Sequence, residues 1–521
     1  MRKTIAPDSE GQGENMRFHL RGLAAAVLAC ASSAAFAVPE GPEFPSAAWT
    51  QREVTNYART LEGPTEQATN PAFLLRLELQ SLANAQQWLL RGLQDPSWIN
   101  PLTGNTAVLP LCTTWAEQCA GDPYRYPGID PFYDTEGEVT PVVFYDRGCA
   151  RISGRVWKPR QVSPRLLPGV VIENGSIQAP EPLYWWMAQA LVRQGYTVLT
   201  FDPRGQGRSD LMTPDGQQGG NFNSAVFWEG LVDAIDFFHS TPSKPYPHNL
   251  SCADRYPTEV TAYNPDHAVQ DRGRLGLAGH SLGARGVTVV QSYGGPGAEP
   301  WPGLIDAQNP VDVIVAWDSL GSGEGIVPRV PAMGQTSEYS IAGTPFTSAP
   351  DPEGHKAGYA QWVEAGLPVY QLTIQGSTHF EWSLIPTFPS SSWCADTSNG
   401  RCEGGWGRPL AEHYSVAWLD RWLKQAGEAG YADADQRLLA DADWQERYSF
   451  HFRSARNYPT RSGRKAVCDD IRAGCAPLSE PAAGGGSAAG GSSSGGGAPG
   501  AGLLGLLLAL ALRRRAMLRG T

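Results

Sequence analysis

Between residues 142 and 424 the chain alternates short Val-rich apolar runs with amphipathic stretches of helical length, and few architectures accept that order. Strands are expected at 142–145 and 150–157, paired around Asp146-Arg147-Gly148, and then at 168–172, 196–201, 275–278, 311–317, 330–335 and 368–374. Helices are expected at 183–194, 223–238, 282–291 and 411–424. Strands separated by helices of this length imply an α/β protein with a mostly parallel sheet covered by helices on both faces. The runs are continuous rather than alternating, as strands buried on both faces require. With 521 residues, 41% of them hydrophobic and 17 of them Trp, the chain has material for one large core. A further helix is expected at 73–93, in an N-terminal extension with no recognisable chemistry.

Within that alternation lies Gly279-His280-Ser281-Leu282-Gly283. A Gly-x-Ser-x-Gly pattern is weak by itself, since Gly491-Ser492-Ser493-Ser494-Gly495 matches it inside a Gly-rich tract that can hold no site. The first match differs in following an expected buried strand and opening an expected helix. A sharp strand-to-helix turn presents the serine, and the two glycines let the backbones pass. The helix N-terminus also aims N–H groups at developing negative charge. Ser281 is therefore the candidate nucleophile.

A serine hydroxyl needs a base to take its proton. Of His355, His379, His413 and His451, only His379 follows directly on a strand, in Gly376-Ser377-Thr378-His379-Phe380. The carboxyl ends of strands are where sites assemble in such sheets. Two carboxylates compete to orient that imidazole. Glu338 follows the expected strand 330–335 and fits the chain order nucleophile, acid, histidine; Asp318, just past the strand ending at Trp317, is the alternative. Leu282 N–H and Ser176 N–H are the expected oxyanion donors, with Ile177 next in line. Trp185, Trp186, Trp317 and Trp382 fall near strand ends or on the first crossover helix, where an aromatic acyl pocket would fit, although core packing is the more frequent fate of Trp.

Residues 140–425 resemble the α/β-hydrolase superfamily, through the strand and loop ending in Ile172-Glu173-Asn174-Gly175-Ser176, the segment Asp202–Asp210, and the Gly-His-Ser-Leu-Gly turn. Dienelactone-hydrolase-like and cutinase-like esterases are the most similar members, with counterparts in order to Trp317-Asp318-Ser319, the His379 segment and 414–419. The resemblance implies a carboxylic-ester hydrolase that works through an acyl-enzyme on Ser281. It requires no metal and no organic cofactor, and the segment 202–210 is structural. That family places its acid after the strand that follows the Trp-Asp-Ser segment, which again favours Glu338. Glu replaces the usual Asp there, and Glu-Asn-Gly-Ser replaces the common His-Gly of the oxyanion loop. A lipase or peptidase of the same fold, or a catalytically silent surface binding protein, are the alternatives.

The termini read as addresses. Residues 1–37 have the form of a signal peptide, with Arg17 and Arg21, an apolar stretch from Leu23 and a small-x-small site at Ala35-Phe36-Ala37; Met16 is an alternative start. A lipoprotein reading through Cys30 is weaker. Residues 38–135 form the extension and 136–480 the catalytic domain. Residues 481–500 are a Gly/Ser-rich tether, and 501–521 are a short apolar helix followed by Arg513-Arg514-Arg515. This tail resembles GlyGly-type C-terminal sorting signals of Gram-negative bacteria. It implies a sorting protease as partner, membrane contact only through that segment, and a place outside the cell or on its outer surface. Eight cysteines remain beyond the leader, and proximity suggests Cys112–Cys119, Cys394–Cys402 and Cys468–Cys475, leaving Cys149–Cys252. The formal charge of -11 and the lack of a Lys/Arg run in the body exclude nucleic acid as an expected partner. The expected partner is an ester, small or polymeric.

Overall fold

The computed structural model describes residues 41–69, 71, 75, 82, 86, 89–99, 131–383 apart from 163, 177, 178 and 342, and 406–478. The leader, the tether, the C-terminal apolar stretch and Cys112, Cys119, Cys394 and Cys402 lie outside these residues.

The strands are β1 (Gly137–Tyr145), β2 (Arg151–Pro159), β3 (Leu167–Glu173), β4 (Thr197–Phe201), β5 (Gln270–His280), β6 (Val311–Trp317), β7 (Ala332–Ser337), β8 (Val369–Ile374), β9 (Ala455–Pro459) and β10 (Lys465–Cys468). Among the described residues they form one ten-stranded sheet in the order β1-β2-β4-β3-β5-β6-β7-β8-β9-β10. The six strands from β4 to β8 are parallel, and an antiparallel hairpin closes each edge. The main helices are α1 (Ala47–Thr69), α2 (Trp185–Arg193), α3 (Val226–His239), α4 (Leu282–Ser292), α5 (Ala357–Glu364) and α6 (Arg408–Leu423).

Two apolar layers follow from the two-residue period of a strand. Val170, Ile172, Val313, Val315 and Trp317 pack against α2 and α6. Val171, Ile314 and Ala316, one residue out of phase, pack against α3, α4 and α5. Both faces of the central strands are thus buried, which is why their sequences read as unbroken apolar runs.

Chain order places the site. From β3 the chain crosses to β4 on one side, and from β4 it returns to β5 on the other side of β3. The direction of winding therefore reverses between β3 and β5. Loops leaving the carboxyl ends of those two strands diverge there and leave a crevice. The segment after β3 carries Gly175 and Ser176; the bend after β5 carries Ser281.

Two features depart from expectation. Two strands with no expected counterpart follow the helix at 411–424: β9 pairs onto β8 and β10 onto β9. They are short and weakly apolar, and Cys468–Cys475 closes their far end. Helix α1 was not anticipated either, because the face it buries is polar. Trp49, Glu53, Asn56 and Thr60, spaced four, three and four residues apart, are each at most 4% exposed. Hydrophobic periodicity cannot report such a helix. Described residues 75, 82, 86 and 89–93 are helical, within the helix expected at 73–93. The Cys149–Cys252 bridge forms as expected and ties the turn after β1 to the segment between α3 and β5. None of the helices among the described residues is long and apolar enough to cross a membrane.

Candidate active site

Ser281 sits at a bend that ordinary residues avoid. Its backbone has φ 59° and ψ -118°, left-handed for a residue with a Cβ. Such conformations cost on the order of 1–3 kcal/mol and persist only where the surroundings impose them. Here the imposition is visible. The N–H of Ser281 donates to the carbonyl of Trp317 at 3.1 Å, at the end of the β5–β6 pairing. A Cβ on Gly279 would lie 2.4 Å from the Gly283 carbonyl oxygen, and one on Gly283 would lie 2.4 Å from that of Asn174. Both glycines are therefore needed for helix α4 to leave the strand so steeply. Leu282 opens α4, so its N–H has no carbonyl four residues earlier inside the helix.

His379 and Asp318 meet at the same end of the sheet. Asp318 follows β6 with φ 81°, another left-handed residue, and its carboxylate accepts a short hydrogen bond from Nδ1 of His379. Ser337 Oγ donates to the other carboxylate oxygen at 2.8 Å. Burial works to raise the Asp318 carboxyl; the charge and hydrogen bond of His379 outweigh it, with help from His280 and Ser337, and bring it down to about 2. Because Nδ1 is committed to Asp318, Nε2 of His379 is the nitrogen left to take a proton.

Glu338, the acid favoured from chain order, does not reach His379. Its carboxylate accepts from Asn56 Nδ2 of α1, from the N–H of Gly376 at 2.7 Å and from Ser449 Oγ. The reason is the parity of β7. Ser337, its last residue, turns its side chain toward Asp318, so the next side chain points the other way. The other histidines are engaged elsewhere: His355 stacks on Phe452 at 3.6 Å, His413 bonds the Arg437 carbonyl at 3.0 Å, and His451 bonds Glu53 at 2.6 Å.

The loop after β3 touches Ser281. A Cβ on Gly175 would lie 3.3 Å from that of Ser281. The Gly175 N–H already donates to the hydroxyl of Tyr184 at 3.0 Å, so Ser176, half-buried in the following turn, has the next N–H along the loop. Ile177 lies outside the described residues. Asn174 Nδ2 donates to Asp202 at 2.8 Å, and Asp202 also accepts from the N–H groups of Glu181 and Arg208. The segment 202–210 is thus a brace for this loop. Chain-order reasoning missed Tyr184 and His280. The only signal was that the residue before the serine is a histidine, which the pattern treats as arbitrary.

The four tryptophans are core. Trp185, Trp186, Trp317 and Trp382 are at most 1% exposed, and their indole N–H groups bond Glu181, the Trp382 carbonyl, Ser415 and Gln335 respectively. None of the four lines the cavity of about 800 Å³ that opens beside Asp318, with Arg285, Phe346 and His355 among its lining residues. Neither Ser281 nor His379 lines it. Among the described residues no group of three or more His, Cys, Asp or Glu is arranged to hold a metal ion. No protein-family model matches this chain, and no curated protein matches it significantly.

Proposed function

We propose that the protein is a serine hydrolase of the α/β-hydrolase fold that cleaves carboxylic esters through an acyl-enzyme. One observation carries the reading: the Asp318–His379 pair stands at the same sheet end as a serine held in a left-handed bend at a helix N-terminus. Ser281 Oγ attacks the ester carbonyl while His379 Nε2 takes its proton. Leu282 N–H and Ser176 N–H hold the oxyanion. The C–O bond to the alcohol then breaks, His379 returns the proton to that oxygen, and the acyl group stays on Ser281. Water repeats the sequence and frees the acid. Asp318 keeps the imidazole in one tautomer and stabilises its cation. The reading includes export, which the two disulfides among the described residues favour, and either release from the cell or attachment to its outer surface through the tail.

A fluorophosphonate probe and p-nitrophenyl butyrate test it together. The wild-type protein is expected to label once, at Ser281, and to turn over the ester. Ser281→Ala is expected to lose labelling and at least about 10⁴-fold in kcat. Equal hydrolysis by both proteins refutes the assignment, and a well-folded wild type that neither labels nor hydrolyses any ester points instead to a silent binding protein.

A further inference from the structure

The side chains of Tyr184 and His280 join the two halves of this site by a chain of hydrogen bonds with only one consistent direction. The His379 carbonyl can only accept, so the His280 Nε2 lying 2.7 Å from it carries a proton. His280 is 2% exposed; burial first, and the neighbouring His379 second, hold its imidazole down to about 3, so it is neutral and its Nδ1 is bare. That nitrogen lies 2.8 Å from the Tyr184 hydroxyl, which must therefore donate to it. The phenol oxygen is then free to accept the Gly175 N–H at 3.0 Å. Tyr184 is fully buried, and burial pushes its hydroxyl well above the usual range, so the donor persists at every working pH.

We infer that Tyr184 and His280 are positioning residues, a neutral relay that fixes the oxyanion loop and the histidine loop to each other across the Ser281 bend. The inference rests on the reading of Ser281 as nucleophile. Its ends are informative: one is the residue before Ser176, the other is the backbone of His379 itself. Neither Tyr184 nor His280 needs to touch substrate. They set where the oxyanion donor and the base stand relative to Ser281, and a shift of about 1 Å in such groups costs about 100-fold in rate. Ground-state binding depends far less on that alignment, so the effect falls on kcat.

The test uses the full chain, p-nitrophenyl butyrate and three variants. His280→Leu is expected to lower kcat by about 10–100-fold with KM within about two-fold. His280→Gln puts an amide N–H where Nε2–H stood and is expected to recover most of that loss. Tyr184→Phe removes one oxygen and is expected to lower kcat by about 10-fold. A kcat within two-fold of wild type for Tyr184→Phe, or a Gln variant no better than the Leu variant, overturns the relay. Should His280→Leu fail to give a cooperative melt, Tyr184→Phe decides alone. Ser281→Ala separates the two ideas: if it hydrolyses like wild type, the reading of the nucleophile fails. If it is dead while the relay variants keep full kcat, only the relay fails.

Discussion

At the scale of single residues, the site turns on which of two carboxylates the imidazole meets. Asp318 and Glu338 both lie beyond strand ends, yet only Asp318 reaches Nδ1 of His379, and Glu338 is spent on three donors from three segments. The two should therefore fail differently. Asp318→Asn is expected to leave the fold intact and lower kcat by roughly 10³–10⁴-fold, because the amide favours the wrong tautomer of His379. Glu338→Ala is expected to keep kcat within a few-fold in the folded protein but to cost about 2–4 kcal/mol of stability, since it strands buried donors on Asn56, Gly376 and Ser449. Ester kinetics and urea unfolding on the same two variants check both statements; a larger kcat loss at 338 would restore the chain-order assignment.

Among elements, α1 has the least ordinary role. It lies against the segment that leads to His379: a Cβ on Gly376 would come within 3.1 Å of the Asn56 carbonyl oxygen. It is held by polar anchors rather than an apolar stripe. Glu53 pairs with His451, both about 2% exposed, and also accepts from the Tyr339 hydroxyl at 3.0 Å and the Phe346 N–H at 2.6 Å. Removing a buried acceptor typically costs about 1–3 kcal/mol for the donors left unpaired. Glu53→Ala is expected to lower the stability of the whole chain by about that amount in urea titrations. A change below about 1 kcal/mol would mean that α1 docks without this anchor.

For the molecule as a whole, a half-buried histidine and a fully buried carboxyl near the site should give stability opposite pH slopes. Burial, against the pull of Asp318, holds the His355 imidazole down to about 4. Below pH about 6.5 the unfolded chain protonates this histidine and the folded chain does not, so its contribution shrinks as pH falls toward 4. Glu381 is the reverse: burial, only partly offset by the Gly407 N–H and by Arg447 and Arg408, raises its carboxyl to about 7. Between pH about 4.5 and 7 the unfolded chain has lost a proton that the folded chain keeps, so this group costs stability as pH rises. Relative to wild type, His355→Gln is expected to gain about 2 kcal/mol on going from pH 7.5 to 5, while Glu381→Gln gains on going from 5 to 7.5. Chemical denaturation at both pH values reads the two differences, and a variant whose difference from wild type does not move with pH removes that group from the account.

Much of this was legible in the chain. Apolar run length and helical spacing, both local properties, placed the central strands and helices to within a few residues. The two glycines flanking Ser281 announced the bend, because only residues without a Cβ let strand and helix backbones approach so closely. Which carboxylate meets His379 was decided elsewhere. It depends on the register of β7 against β6 and on the parity of one side chain, and a one-residue phase reverses which carboxylate faces the imidazole. The docking of α1 and the Tyr184–His280 connection were likewise set only in three dimensions. Their partners lie from nearly 100 to almost 400 residues apart in the chain, and they are polar, so no periodicity marks them.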